Sequence, residues 1–347
     1  LWNERLAFER HGKFKLLGYE FEDIKFLKKE SKLTHLSPMM RNIFYGIVFL
    51  LSTQISVAQS LSEVTLDEQW KAKIQSLAPQ KTRFPSSKKK NVLVFSLHTG
   101  FKHWVIPHTE EMIKIIGEKS GSFTVTGSKD IVEFEAKNLK KYDAVILNNT
   151  CSIGDHRNLF WDKLKENTAV DSATSMKKAI ELENNLLDYV KKGGGLFVLH
   201  GAVTTLNNSW DFSRLLGASF DYHPIQQNIQ VRLEDANHPL VQAFPAEGFN
   251  HVDEPYFYKN AYDELDFKPL MYFNNAEIKS QRKGQERTEG KTYVAWIRAE
   301  GKGKVMYASP SHNAQSFENP QLLQFFLDGM QYVVGDVACD ETPIKKK

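Results

Sequence analysis

The stretch Lys191–Ala202, KKGGGLFVLHGA, indicates how this chain folds. Three glycines end one element, and the apolar run from Leu196 to Leu199 predicts a short buried strand that stops at His200. A strand that is apolar throughout is typical of the centre of a parallel sheet, where helices cover both faces. Open α/β sheets bind ligands at the carboxyl ends of such strands, so His200 is a candidate functional residue.

An amphipathic helix is predicted before this strand, over about residues Lys177–Lys192. Its apolar residues recur every three or four positions, which predicts that one face packs on the sheet. These residues are Ile180, Leu182, Leu186, Leu187 and Val190. Gly193 suits the left-handed backbone conformation that commonly follows a helix.

Three further strands are predicted at Asn91–Leu97, Phe123–Thr126 and Asp143–Leu147. A helix over about residues His108–Glu118, with Met112, Ile115 and Ile116 inward, separates the first two. Strands that alternate with helices at this spacing predict a doubly wound, mostly parallel α/β sheet, because right-handed crossovers place helices on both faces. The carboxyl ends of the strands should then meet at one crevice.

The second half of the chain adds β-rich segments to this sheet. Asn228–Leu233 alternates as a strand at an exposed sheet edge does, and Leu270–Phe273 predicts another short strand. Thr292–Arg298 and Lys304–Ala308 flank a Glu-Gly-Lys-Gly turn and predict a hairpin. A last helix is predicted over Gln321–Val334. Its inward residues are Leu322, Leu323, Phe326, Leu327 and Met330.

The first 58 residues do not resemble the rest. Arg41, the apolar run Ile43–Leu51 and the small residues that end at Ala58 predict a secretory signal peptide over residues 39–58, with export to the periplasm or the cell exterior. The apolar run is shorter than the roughly 20 residues of a membrane span. We therefore interpret residues 1–38 as an over-extended gene start, 59–89 as a leader and linker, 90–336 as the folded domain and 337–347 as a polar tail.

Charge gives no argument for nucleic-acid binding. Residues 1–58 carry nine Lys or Arg and six Asp or Glu, so the net charge of +3 belongs to that stretch and the remainder is balanced. The basic triplets Lys88–Lys90 and Lys345–Lys347 are interpreted as solvated ends. Cys151 and Cys339 could pair in an oxidising compartment, but two cysteines are too few for a multi-cysteine metal site.

Several polar residues lie where chemistry could occur. His200, His103 and His312 could act as acids, bases or metal ligands, although a lone histidine at a strand end is more often structural. Asp253 and Glu254 could form a carboxylate pair or simply a surface turn. The sequence contains no phosphate loop, dinucleotide fingerprint, HExxH or GxSxG motif, and its three glycines precede a strand instead of following one.

The order and spacing of several motifs resemble the ThuA-like (trehalose utilisation) family over about residues 90–335. The motifs are Gly100-Phe101-Lys102-His103, GGGLFVLHGA, His238-Pro239, Asp253-Glu254-Pro255-Tyr256 and the VAW, GKGKV and SH ending. The resemblance implies the flavodoxin-like fold of class I glutamine amidotransferases. It also implies a role in the use of trehalose, glucosides or keto sugars.

One departure from the amidotransferase pattern matters for the activity. Those enzymes place a cysteine nucleophile at a tight turn after a strand. Here the corresponding strand ends in Leu199-His200-Gly201, and no cysteine lies within forty residues. Glutamine hydrolysis is therefore not expected, and Cys151 is the only thiol at a strand end that could restore it.

The resemblance implies a hydrolase, lyase or isomerase whose partner is a small carbohydrate, and the signal-peptide pattern predicts that it is exported. Its candidate residues are His103, His200, Asp253, Glu254 and His312 as catalytic groups, Asn149 as a polar positioning group, and Tyr256 or Trp296 as a stacking surface. The histidines and a carboxylate could move protons beside a ketone. Alternatively, His103, His200 and His312 could bind a divalent metal such as zinc. A non-catalytic sugar-binding module with the same fold is the competing hypothesis.

Overall fold

The computed structural model describes residues 14–16, 19–21, 61–86 and 88–344. The chain divides into two units, Leu1–Val57 and Ala58–Lys347. In the first unit, β1 (Phe14–Leu16) and β2 (Tyr19–Phe21) form an antiparallel pair. The predicted signal peptide lies outside the described residues. Among the helices that the structure describes, none has the length and apolar character to cross a membrane.

The described part of the second unit contains one large sheet and one strand pair. Its strands are β3 (Lys90–Phe95), β4 (Phe123–Ser128), β5 (Ala144–Asn148), β6 (Gly195–Leu199), β7 (Ser219–Tyr222), β8 (Gln227–Leu233), β9 (Phe249–Asp253), β10 (Phe257–Lys259), β11 (Lys268–Asn274), β12 (Lys291–Glu300) and β13 (Gly303–Ala308). Strands β7 and β10 pair with each other, and the other nine form one sheet.

Helices cover both faces of this sheet. They are α1 (Glu68–Leu77), α2 (Ile106–Lys119), α3 (Ala136–Leu139), α4 (Leu159–Leu164), α5 (Ser172–Lys191), α6 (Trp210–Leu216) and α7 (Pro320–Val333). Helix α5 begins after Asp171, whose carboxylate accepts a hydrogen bond from the Thr174 amide, and α7 begins after Asn319, which caps it in the same way. Polar caps of this kind satisfy amides that have no partner within the helix.

The strand order identifies the fold. Five strands are parallel, in the order β4-β3-β5-β6-β13, and four antiparallel strands extend the sheet in the order β12-β11-β8-β9. Numbered along the chain, the parallel part reads 2-1-3-4-5, which is the flavodoxin-like order. The predicted doubly wound, mostly parallel sheet with added β-rich segments is therefore confirmed.

Strand β6 is buried on both faces, as its apolar sequence predicts. Phe197 and Leu199 belong to the core that contains α2 and α7, whereas Leu196 and Val198 belong to the core that contains α5. The predicted inward faces of α2 and α7 are confirmed. On α5 the prediction fails for Ile180, which is about half exposed, because Ala179 occupies the inward position instead.

The position of β8 corrects a second expectation. The alternating pattern of Asn228–Leu233 suggested an exposed edge, but β8 lies between β11 and β9, and β9 forms the edge. The alternation is real, because Ile229, Val231 and Leu233 are buried while the residues between them are not. The alternation indicates that one face of this antiparallel sheet is solvated, and it does not indicate that the strand lies at the sheet edge.

The two cysteines do not pair. Cys151 is buried, Cys339 is partly buried, and both thiols are free.

The segment expected to be a polar tail lies against the domain as far as residue 344. The Lys304 ammonium contacts the Glu341 carboxylate, and the Ile344 amide donates a hydrogen bond to the Phe267 carbonyl.

We expect Gly195→Ala to destabilise the domain. A Cβ at this position would lie 2.2 Å from the backbone carbonyl oxygen of Val333 and 3.0 Å from the Ala144 Cβ, so α7 would have to move away from β6. Overpacking of this kind costs about 1–3 kcal/mol in free energy of unfolding, measured by urea denaturation. As a control, Gly121→Asn should change stability much less, because Gly121 is in the left-handed region that Asn tolerates and its Cβ would meet open space. Equal stability of the Gly195→Ala and wild-type proteins would contradict the tight contact.

Candidate functional site

Loops that follow the parallel strands bring together most of the residues predicted from the sequence. His103 follows β3, Asn149 follows β5, His200 follows β6 and His312 follows β13. The strand register places Asn148 beside Leu199 and Leu199 beside Ala308, so the strands end level with one another. Glu254 reaches the same place from the end of β9. The expected convergence at the carboxyl edge of the sheet is observed.

The backbone turns sharply at two adjacent strand ends. His200 has a φ of 45° and Asn149 a φ of 50°, which are values in the left-handed region that non-glycine residues seldom adopt. The Asn149 side-chain oxygen accepts a hydrogen bond from the Gly201 amide at 3.2 Å. Gly201 cannot carry a side chain here, because its Cβ would lie 2.6 Å from Cε1 of His103. The turn therefore brings the His103 and His200 rings close to each other.

Three electron-rich atoms face one another at the centre of the site. Nε2 of His200 lies 3.1 Å from Nδ1 of His312 and 3.3 Å from Oε2 of Glu254, and the last two atoms are 3.2 Å apart. A nitrogen of His103 joins them, and the four donor atoms all lie within 4.8 Å of one another. We call His103, His200, Glu254 and His312 the donor cluster. These four residues could hold a metal ion.

The protein fixes the tautomer of His200. Its Nδ1 lies 2.9 Å from the carbonyl oxygen of Ser309, and because a carbonyl only accepts, Nδ1 must carry the proton. The lone pair is therefore on Nε2, which points at the other donors. The ring of Tyr256 lies 4.3 Å from the His200 ring and limits its rotation.

Burial keeps the histidines of the donor cluster neutral. It lowers the pKa of His200 to about 3 and that of His312 to about 4, since a charged imidazole loses hydration there. Burial is also the main reason that the pKa of His103 is well below its usual value, and the neighbouring His200 and His312 lower it further. At neutral pH all three rings therefore offer a lone pair and not a positive charge.

Asp253 lies behind the donor cluster and not at its surface. Its side chain is 2% exposed, and Oδ1 accepts a hydrogen bond from the Glu254 amide at 2.7 Å. The same oxygen is 3.9 Å from Nδ1 of His200, and Oδ2 is 3.5 Å from Nδ1 of the partly buried His251. Burial raises the pKa of Asp253 well above its usual value. Asp253 thus holds Glu254 in position, and the structure does not place its carboxylate among the atoms of the donor cluster.

The two predicted stacking surfaces are not available to a sugar. Tyr256 is buried, and its ring is covered by His200 and by His223, whose ring centroid lies 5.1 Å away. Trp296 is fully buried on the interior strand β12, where its Nε1 donates a hydrogen bond to the Leu216 carbonyl at 2.7 Å. The expectation for both residues is wrong, because their aromatic rings complete the protein interior.

A different aromatic residue is exposed beside the donor cluster. Phe101 follows β3, and 57% of its surface is accessible. The edge of one ring meets the face of the other between Phe101 and His103, with centroids 4.8 Å apart. The motif Gly100-Phe101-Lys102-His103 contains this residue, but no local pattern distinguishes its exposed ring from the buried tyrosines and tryptophans.

Sequence reasoning missed His223, which follows the short strand β7. Its Nδ1 is 2.8 Å from the Pro224 carbonyl oxygen, so Nδ1 carries the proton and Nε2 is free to accept one. Nε2 lies 3.8 Å from Oε2 of Glu254, and about a third of the side chain is exposed. No apolar run precedes His223, so the strand-end pattern that identified His200 was absent. His251, beside Asp253, was also left without a role.

Comparison with known proteins gives a family and a fold. A family model described as ThuA, trehalose utilisation, matches residues 91–333. A ThuA-like protein from Bacteroides uniformis is similar in structure, with a TM-score of 0.52 and 17% identity over 72% of this chain and 93% of that protein. A ThuA-like protein from Parabacteroides merdae has a TM-score of 0.50 and 17% sequence identity, over 75% of this chain and 93% of that protein. At this identity the two structures show a shared fold alone. The search of curated proteins returned no match.

We expect Trp296→Phe to lower the free energy of unfolding without a separate effect on sugar binding at the donor cluster. The substitution leaves the buried Leu216 carbonyl without its donor, which costs about 1–3 kcal/mol in free energy of unfolding. Trp210→Phe is the matched control, because Trp210 is half exposed and its replacement should change stability by less than about 0.5 kcal/mol. Urea denaturation measures both values. A Trp296→Phe protein with unchanged stability and lost sugar binding would instead support the stacking role.

Proposed function

This chain belongs to the ThuA (trehalose utilisation) family, and we propose that it is an enzyme of carbohydrate use that acts on a keto-sugar glycoside. The observation that carries the proposal is the donor cluster at the carboxyl edge of the parallel sheet. The family supports the role in carbohydrate use, and the chemistry of the cluster supports catalysis.

Three features of the cluster favour an enzyme over a sugar-binding module. It buries three imidazoles whose pKa values are strongly lowered, and such perturbed groups concentrate at active sites. It includes a left-handed backbone at His200, which costs about 1–3 kcal/mol and persists where function requires it. It also lies at the position where flavodoxin-like sheets bind ligands. Sugar binding alone requires exposed hydrogen-bonding groups and none of these costs.

His223 is the histidine that a substrate can reach. Nε2 of His223 has a free lone pair and borders the cluster, so it can remove a proton from the carbon next to the sugar ketone. The electrons of the broken C–H bond form a C=C bond while the glycosidic C–O bond breaks at the next carbon. The protonated His223 then returns its proton to the leaving oxygen. Glu254, 3.8 Å away, stabilises the transient imidazolium.

Other residues define the surroundings of the reaction. Phe101 offers an exposed apolar ring to the C–H face of a sugar, next to His103. Cys151 is buried, and the tight turn after β6 carries His200, so glutamine hydrolysis through a thioester has no nucleophile at that position.

We further propose that the protein acts in the periplasm or outside the cell. This rests on the signal-peptide pattern of residues 39–58.

The substrate assignment is tested with a matched pair of compounds. The purified full-length chain is incubated with 4-nitrophenyl glucoside and with the same glucoside oxidised to a ketone at carbon 3. We expect release of 4-nitrophenol from the keto compound alone, because only the ketone acidifies the neighbouring C–H bond. Binding of both compounds by calorimetry without any turnover would overturn the proposal in favour of a sugar-binding module.

His223→Ala should lower kcat on the keto glucoside by about 100-fold or more, the usual contribution of one positioned acid or base. We expect the His223→Ala protein to fold normally, because about a third of the His223 side chain is exposed and its loss removes little buried contact. His238→Asn is the control, since His238 caps a helical turn elsewhere and asparagine can replace it as a cap. Steady-state kinetics of the three proteins are compared. Equal kcat values for wild type and His223→Ala would remove His223 from the mechanism.

A further inference from the structure

We propose that the donor cluster is a zinc site, with His200, Glu254 and His312 as the closest ligands and His103 as the fourth. The inference rests on the same site as the proposed function and deepens it by adding a metal ion. Its test reads metal content and affinity, so that it can succeed or fail separately from turnover.

The first argument is the spacing of the donors. Zinc binds histidine nitrogens and carboxylate oxygens at about 2.0–2.2 Å with tetrahedral geometry, which places the donors roughly 3.3–3.6 Å from one another. The three distances among His200 Nε2, His312 Nδ1 and Glu254 Oε2 are 3.1, 3.3 and 3.2 Å. The atoms are therefore already arranged as three corners around one point.

The second argument is the number of protons. Nε2 of His200 carries a lone pair because its Nδ1 proton is committed to Ser309. The Glu254 carboxylate is also an acceptor, so His312 is the remaining member of the triangle that can supply a proton. One N–H cannot satisfy two acceptors that also face each other at 3.3 Å. A cation at the centre satisfies all three lone pairs together.

The third argument comes from His103. Its side chain is buried, and its Nδ1 has no hydrogen-bond partner. An orphaned buried nitrogen is costly, and a bond to a metal would remove that cost. The absence of a side chain at Gly201 lets the His103 ring approach the cluster.

The fourth argument is the chemical type of the ligand atoms and the hydrogen bond that orients one of them, which together favour zinc. Calcium and magnesium prefer sites made of oxygen ligands, whereas imidazole suits zinc and other transition metals. The bond from His200 Nδ1 to the Ser309 carbonyl is the outer contact that metal-binding histidines usually make, and it holds the ring in place. When bound by these four residues, zinc could supply Lewis acidity toward the carbonyl oxygen of a keto sugar if its coordination expands from four to five.

The test begins with metal analysis of the tag-free, full-length chain. We expect about one zinc per chain by mass spectrometry of the metals, and tight rebinding of zinc after chelation, measured by competition with a zinc-sensitive dye. His312→Ala and Glu254→Gln should each weaken zinc binding at least 100-fold, and His103→Ala should weaken it less. His238→Asn removes a histidine outside the cluster and should bind zinc as the wild type does. Circular dichroism checks that each variant is folded.

Two results obtained with folded protein would overturn the zinc site. One is a chain that neither contains zinc nor rebinds it, and the other is stoichiometric binding of a different ion in preference to zinc. Unchanged zinc affinity in folded His312→Ala and Glu254→Gln proteins would also overturn the ligand set. Zinc binding without turnover of the keto glucoside would support this inference and contradict the proposed function. Turnover of the keto glucoside by a folded chain that neither contains nor rebinds zinc would support the proposed function and contradict this inference.

Discussion

One hydrogen bond sets the geometry of the site: Nδ1 of His200 donates to the carbonyl oxygen of Ser309 at 2.9 Å. The two residues come directly after β6 and β13, which pair in parallel with Leu199 beside Ala308. A slip of one residue in this register would turn the side chains to the opposite face of the sheet and break the bond. Such a slip would also exchange the side chains that β6 packs into the two cores, Phe197 and Leu199 on one face and Leu196 and Val198 on the other. The core therefore determines which nitrogen of His200 faces the other donors.

The tight turns at His200 and Asn149 are stable only because several contacts act on them together. A left-handed backbone at two non-glycine residues costs energy, and the chain offsets that cost with the Asn149 to Gly201 hydrogen bond and the buried surroundings. Gly201 contributes in another way, because its lack of a side chain makes room for His103. The strain is thus located where three loops must approach one another, and relaxing it would separate the rings of His103 and His200.

The sequence predicted the parts of the structure that long apolar patterns encode. The strands at the centre of the sheet and the helices α2, α5 and α7 follow from such patterns, and the histidines that end those strands could be placed from the parallel topology. His223 could not, because it follows a four-residue strand that is held by pairing with β10 about 35 positions later. Trp296 was misplaced because its exposure depends on the neighbours of β12, which the local sequence does not specify. Asp253 was recognised, but its burial behind Glu254 depends on β9 lying at the sheet edge.

The same turn can support different chemistry because the backbone, and not the side chain, directs it into the crevice. A cysteine at such a turn could act as a nucleophile once a neighbouring group activates it. Here the residue is His200, whose Nδ1 is held by Ser309 and whose Nε2 can only offer a lone pair at a fixed position. A fixed lone pair is unsuited to forming and releasing a covalent intermediate, but it suits holding a cation beside Glu254 and His312. The fold therefore supplies the place of the proposed reaction, while the residue at the turn limits which chemistry is possible there.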